Sequence, residues 1–477
     1  MTDDALEPSG LSLGAQRDAA LEHTAQYVLR AWNEFDRARE SETLPSPELV
    51  ELLKAPLPEH ASNVLAMIDH AVEVLDASLA QSRPRYFAFI GSSGLEVGAL
   101  ADLLAHSYDI NLAVDARAAT QLEFQAVHWL AQFLEYPAHT GAFTSGGTIS
   151  NITALASARE AALPGARHRG LADVRPTLYC SSEAHYSITR AAEVLGIGAD
   201  NVRAIEIDGD RRMRPDRLRE RLVADVALGH TPVAIVATAG TTLTGAVDPI
   251  DELAEIAKEF GVWLHVDGAY GLPAAAVGET RDLFRGLARA DSITVDCHKW
   301  MFVPKACSAV LVRDGATLTR AFAHDEAYMP HEGEQFNAVD ITLEYSRPFR
   351  ALKLWLAFAT HGASALRDGV ARNCDQARLL YRLAGEHESL ETLASQPQLS
   401  IVPLRVSASG CADPDRHNEA LCAAMQADGR VYVSPATIDG RTWLRPCFRN
   451  FRTRDDDVRV LVEVVMELGS RCSTLHD

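Results

Sequence analysis

The chain has 477 residues, 47% of them hydrophobic and 23% charged, with a formal net charge of −20. That length and apolar content can build more than one ordinary core. The acidic balance excludes a basic nucleic-acid stripe and attraction to anionic membrane surfaces, and no stretch is apolar for long enough to span a bilayer.

The start of the chain, Met1 to Pro8, is acidic and lacks the basic opening of a signal peptide. Eight cysteines are scattered without a CxxC pair. They read as reduced thiols, and the expected compartment is the cytoplasm. Leu21, Ala25, Val28, Trp32 and Phe35 recur at helix spacing. After a proline-punctuated break, Val64, Met67, Ile68, Ala71, Val74 and Leu75 mark a second helix. These two helices have little chain around them, so their apolar stripes are expected to pack on the main domain or on a second subunit.

From about Arg85 to Asp314, short apolar runs alternate with helical patterns. Strands are expected at 233–238, 262–266, 292–295 and 309–312. An amphipathic helix is expected over 251–260, stopped by Gly261. Strand, helix, strand in sequence implies a mostly parallel α/β sheet that binds ligands at the carboxyl ends of its strands. After Tyr345 the pattern changes to a long apolar helix over 349–360, then to mixed pieces such as the strand-like 399–402, stopped by Pro403. The expected division is a helical segment at 1–85, a large domain at 86–345 and a smaller C-terminal domain at 346–477.

Four motifs carry chemistry. An apolar strand ends in Asp296-Cys-His-Lys299. A lysine just beyond a buried strand has a reason to be there if its amine condenses with an aldehyde. A second strand ends in Asp267, followed by Gly268 and Ala269, small enough for a flat ring to lie close. A buried carboxylate keeps a pyridine nitrogen protonated, which makes the ring an electron sink. Gly146, Gly147 and Thr148 open a helical run, an arrangement of free N–H groups suited to a phosphate. His185 can stack on an aromatic ring, and Thr238 to Thr242 ends a further strand. Each feature alone has an ordinary structural explanation: an exposed lysine, a turn aspartate, a glycine turn, a structural histidine. No GxGxxG follows an early strand, which argues against a dinucleotide-binding dehydrogenase.

Together and in this order, Phe143-Thr-Ser-Gly-Gly-Thr148, Ala184-His185, Ala239-Gly-Thr-Thr242, His265-Val-Asp-Gly-Ala-Tyr270 and His298-Lys-Trp300 resemble the group II pyridoxal-phosphate decarboxylases. These are the aromatic-L-amino-acid, glutamate and cysteine-sulfinate decarboxylases. The resemblance implies a fold-type-I enzyme with a mostly parallel seven-stranded sheet flanked by helices and a smaller α+β C-terminal domain. It implies pyridoxal 5′-phosphate held as a Schiff base on Lys299, with Asp267 at the pyridine nitrogen and His185 stacked on the ring. Gly147 and Thr148 match the phosphate turn, Thr242 a cofactor-side threonine, and His298 the histidine before the lysine; Ala269 belongs to the same cofactor set. Tyr328 falls where the family has a tyrosine that reprotonates carbon after carbon dioxide leaves. Residues 83–89, with Tyr86, Phe87 and Phe89, resemble the stretch that lines the substrate pocket from the neighbouring subunit of a homodimer. Those rings suggest an aromatic or hydrophobic L-amino acid as substrate, or else belong to the core. Asp296 departs from the asparagine often found in the animal aromatic enzymes and would repel a phosphate unless bonded elsewhere. Lys305, close behind, has no assigned role. Transamination, or decarboxylation ending in oxidation to an aldehyde, would use the same lysine, aspartate and histidine; a tyrosine at 328 favours simple decarboxylation to the amine.

Overall fold

Runs of buried, mostly apolar residues supply the centre of the molecule. The computed structural model describes residues 11–39, 44–324, 337–407 and 413–474. Seven strands, β1 (Thr140–Thr144), β2 (Pro176–Ser181), β3 (Val202–Ile205), β4 (Thr231–Thr238), β5 (Trp263–Asp267), β6 (Ser292–Val295) and β7 (Ser308–Val312), form one sheet in the order β1-β7-β6-β5-β4-β2-β3. β3, β2, β4, β5 and β6 are parallel, while β7 runs antiparallel to both β6 and β1. β1 therefore points the same way as the parallel set. The α/β sheet expected from the sequence is present, mostly parallel and seven-stranded.

Both faces of the sheet are covered, as its apolar runs require. Along β4, Ile235 and Ala237 enter one core with helices Ala118–Phe133 and Ile250–Phe260, while Ala234 and Val236 enter another beneath helix Gly147–Ala162. This is the two-residue period of a strand used on both sides. Helix Ile250–Phe260 ends at Gly261, which is left-handed at φ 65.

A second sheet is antiparallel throughout: β8 (Leu390–Thr392), β9 (Leu404–Val406), β10 (Pro435–Ile438) and β11 (Arg441–Leu444), in the order β10-β11-β9-β8. Helices Pro414–Asp428 and Asp455–Thr474 share its core. A long helix, Ala351–Gly385, kinks at Gly362 and links the two sheets' surroundings. The strand expected at 399–402 is instead a crossing segment. Leu399 and Ile401 are buried in the main core, and the strand starts one residue after Pro403, whose ring nitrogen cannot donate to a ladder.

The N-terminal helices are Arg17–Phe35 and Val64–Asp76. They pack on each other and are tied by Asp69, which accepts from Tyr27 Oη and pairs with His23 Nε2, both at 2.6 Å. Much of their apolar surface stays open: Leu21 is 56% exposed, Leu29 57% and Leu75 67%.

One buried ion pair ties the segment before helix Ala351–Gly385 to helix Ala118–Phe133. Arg347 Nη2 donates to Glu123 Oε1 at 2.5 Å, and its guanidinium also reaches the carbonyls of Leu112 and Phe143, both at 3.2 Å. Removing one partner strands a buried charge. Arg347→Met is expected to destabilise the protein by about 3–5 kcal/mol. Urea unfolding followed by circular dichroism checks this, and an unchanged midpoint would count against the tie.

Candidate active site

The carboxyl ends of β1, β2, β4, β5 and β6 converge on one cavity of about 250 Å³. β1 runs into Gly146 and Gly147, where helix Gly147–Ala162 begins with no side-chain cap among the described residues. β2 leads to His185, β4 ends at Thr238 and continues to Thr242, β5 ends in Asp267, and β6 leads to Asp296 and Lys299. Gly147, Thr148, His185, Thr242, Asp267, Ala269, His298 and Lys299 all line this cavity. Tyr328 lies outside the described residues.

The two carboxylates are held in different ways. Asp267, 5% exposed, accepts from Asn151 Nδ2 at 2.9 Å through Oδ2, and from the Ala269 backbone N–H at 3.1 Å through Oδ1. Asp296, 2% exposed, pairs with Lys299 Nζ at 2.9 Å and has His298 Nε2 at 3.8 Å. Burial alone would raise the Asp296 carboxyl, but Lys299 and His298 outweigh it and hold it below the usual range. Burial likewise works to lower Lys299, yet the Asp296 carboxylate prevails and its ammonium is held above the usual value. Asp296 thus has a cationic partner, which answers the repulsion expected of it beside a phosphate turn.

Both histidines are pushed towards the neutral form. Burial lowers His185, against the pull of Asp267, and the His185 Nδ1 accepts from the Ser187 N–H at 3.2 Å. Burial also lowers His298, whose Nδ1 meets the backbone of Cys307. Lys305 Nζ donates to Gln81 Oε1 at 2.9 Å.

The family model for the pyridoxal-dependent decarboxylase conserved domain matches residues 47–407. The chain belongs to the pyridoxal-dependent decarboxylases. It is 30% identical over 476 residues to the aromatic-L-amino-acid decarboxylase of Bacillus atrophaeus, covering 97% of this chain and 98% of that one. It is 34% identical over 364 residues to the L-2,4-diaminobutyrate decarboxylase of Rhizobium meliloti, covering 75% and 72%. Among solved structures, the Oryza sativa TDC with PLP and tryptamine superposes with a TM-score of 0.90 at 25% identity, covering 97% of this chain and 99% of that one. This decarboxylase is therefore a lyase that uses pyridoxal 5′-phosphate to decarboxylate an amino acid.

The decarboxylase's cavity suits that cofactor on its own evidence. A Cβ added at Gly147 would lie 3.0 Å from both Ala269 Cβ and Asp296 Oδ2, so the helix start is drawn close against the two strand ends. Asp296 Oδ1 and Thr238 Oγ1 are buried without a hydrogen-bond partner among the described residues. A helix N-terminus for a phosphate, a carboxylate for a ring nitrogen and a lysine for an aldehyde meet in one place.

Some of the site was not singled out from sequence. Asn151 lies one turn into the helix, four residues after Gly147, and the helical period alone could have aimed it at the same cavity. Arg445, 4% exposed, donates from Nε to the Thr242 carbonyl at 2.7 Å from a distant part of the chain, which no local pattern signals. Of the aromatic stretch, Tyr86 and Phe87 are core residues. Tyr86 stacks on Tyr432 at 5.1 Å between centroids, and Phe87 packs on Phe448; Phe89 is 57% exposed at φ 54. Gly147→Val is expected to weaken cofactor binding by the cost of overpacking, about 1–3 kcal/mol or roughly 5- to 150-fold in Kd. Fluorescence titration with pyridoxal 5′-phosphate measures it, and wild-type affinity would deny Gly147 a place against the cofactor.

Proposed function

We propose that this decarboxylase converts an aromatic L-amino acid to its amine and carbon dioxide, with Lys299 as the covalent anchor of the cofactor. The observation that carries the anchor is the meeting of Lys299 and Asp267 in one cavity at neighbouring strand ends. The aromatic assignment draws on the end-to-end likeness to the Bacillus atrophaeus enzyme. It also fits the chemistry of the lining. Lys299 is the sole lysine or arginine among the described lining residues, which leaves no second cation there for an acidic substrate side chain.

When bound, pyridoxal 5′-phosphate supplies an aldehyde for the substrate amine and a ring that takes up the electron pair of the breaking carbon–carboxylate bond. The remaining work falls to the chain. Gly147 and Thr148 offer backbone N–H groups to the phosphate at the helix start. Asp267 would face the ring nitrogen and favour its protonated form, and His185 would stack on the ring. Lys299 would hold the aldehyde carbon through Nζ, give it up to the substrate amine and take it back as the product amine leaves. Asp296, already 2.9 Å from that nitrogen, steadies it in its cationic form. Tyr328 would return a proton to the carbon that lost its carboxylate, which favours the amine over the aldehyde.

We also propose a homodimer with Phe89 and the N-terminal helices at the interface. The open leucines of those helices are the support, since apolar surface of that kind on a helix pair marks an interaction face. Sedimentation equilibrium at micromolar concentration is expected to give twice the 51.8 kDa chain mass, and a monomer there would rule the dimer out.

For the reaction, a panel of L-amino acids scored for carbon dioxide and amine release is expected to single out tyrosine, tryptophan or their hydroxylated relatives. Release from 2,4-diaminobutyrate or glutamate alone would reject the aromatic assignment. Lys299→Ala is expected to abolish turnover, and borohydride reduction should then leave no cofactor mass on the peptide that carries residue 299. Cofactor mass found on another peptide of the wild-type protein would reject the anchor.

A further inference from the structure

Behind Asp267 lies a line of buried polar side chains that the reaction, as described so far, does not use. Asn151, His265 and Ser292 are 1%, 0% and 0% exposed. Trp263 Nε1 donates to Ser292 Oγ at 2.8 Å, and Ser292 Oγ meets His265 Nδ1 at 2.8 Å. His265 Nε2 meets Asn151 Oδ1 at 3.0 Å, and Asn151 Nδ2 donates to Asp267 Oδ2 and to Ser187 Oγ, both at 2.9 Å.

The two ends of this line fix its direction. An indole N–H can only donate, and an ionised carboxylate can only accept. Asn151 must turn its NH2 to Asp267, so its carbonyl faces His265 and needs a donor there. His265 Nε2 must therefore carry a hydrogen. Burial holds the imidazole neutral, with a pKa lowered to about 4, so Nδ1 carries the lone pair and accepts from the Ser292 hydroxyl. Every link then donates towards Asp267, from a side chain on β5 through one on β6 and back to the helix start. An amide whose two ends have a similar shape can sit either way round. In the reversed orientation Asn151 would present its oxygen to the carboxylate. The carboxylate disfavours that orientation from one side, and the Nε2 hydrogen of His265, which would then face the amide NH2, disfavours it from the other.

We propose that His265 is a positioning residue for the reaction: through Asn151 it aims the Asp267 carboxylate and keeps it an acceptor for the protonated ring nitrogen. This rests on the reading of Asp267 as the partner of that nitrogen. A donor on a carboxylate favours its ionised form, and chains of aligned hydrogen bonds strengthen one another. The second shell thus orients the first.

The test reconstitutes the protein with pyridoxal 5′-phosphate enriched in ¹⁵N at the ring nitrogen and follows that resonance by solid-state NMR, beside steady-state kinetics. Asp267→Asn is the control and is expected to move the resonance to its unprotonated position. His265→Leu is expected to move it in the same direction and to lower kcat roughly 10- to 100-fold, the worth of the Asn151 hydrogen bond to the charged Asp267 that His265 holds in register, while KM changes little. His265→Gln, which keeps an N–H for Asn151, is expected to restore the resonance towards wild type. A wild-type resonance in His265→Leu, where Asp267→Asn does shift it, overturns the positioning role. A resonance that Asp267→Asn leaves in place overturns the assignment of Asp267 itself, and this proposal with it. If His265→Leu does not fold, Ser292→Ala carries the test, because it removes the donor to Nδ1. A smaller shift of the same sign is expected, and no shift overturns the proposal.

Discussion

Two carboxylates at the ends of adjacent strands, both nearly out of reach of water, set the terms for the rest of the molecule. Buried negative charge is costly unless hydrogen-bonded or paired. Asp267 is held by neutral donors, the Asn151 amide and a backbone N–H, whereas Asp296 is held by an ammonium. The difference decides what each can do. A carboxylate anchored by neutral groups keeps its charge for a cationic partner. A carboxylate paired to a lysine tunes that lysine, and the pair titrates as one. The packing of helix Gly147–Ala162 over β5 and β6 brings both within reach of a single small cavity.

The sheet topology makes that convergence possible. With β7 inserted antiparallel between β6 and β1, β1 still delivers its carboxyl end to the same side as the five parallel strands. The glycine turn after β1 then faces the aspartates after β5 and β6 across the reversed strand. The smaller sheet's surroundings close in from the other direction. Arg445 reaches from beyond β11 to the Thr242 carbonyl, and Leu399 packs close to Gly240 and Gly271, where a Cβ at either glycine would strike it. Gly240 sits at φ 102, a conformation that leaves glycine as the natural choice.

Much of this was legible in the sequence because it is written locally. The strands around 233–238, 262–266, 292–295 and 309–312 are short apolar runs with helices between them, and each emerges within one or two residues of its expected span. The cavity gathers Lys299, Asp267, His185, Gly147 and Thr148 because each follows a strand directly, so chain order and the strand-end rule suffice to bring them together. What was not legible depends on distance along the chain. The partnership of Asn151 with His265 spans 114 residues, and that of Arg445 with Thr242 spans 203. Nothing in the pattern around Tyr86 and Phe87 told a pocket wall from a core; Tyr432 and Phe448, far downstream, settle it. The strand expected at 399–402 failed for a similar reason, since Leu399 answers to the main core and not to its neighbours in sequence.

One end of the large sheet bears on how such a chain avoids strand-to-strand aggregation. An open sheet edge offers unpaired backbone groups to any other extended chain, and long, flat, apolar edges template fibrous aggregates. Here that edge is β3, four residues long and only partly buried. Arg203 sits within it, its guanidinium turned back at 3.0 Å to Asp225 on the flanking helix. A foreign strand arriving there would find too few rungs to pair with and a charge in its way. The brevity of β3 at the open edge protects the molecule from self-templated stacking.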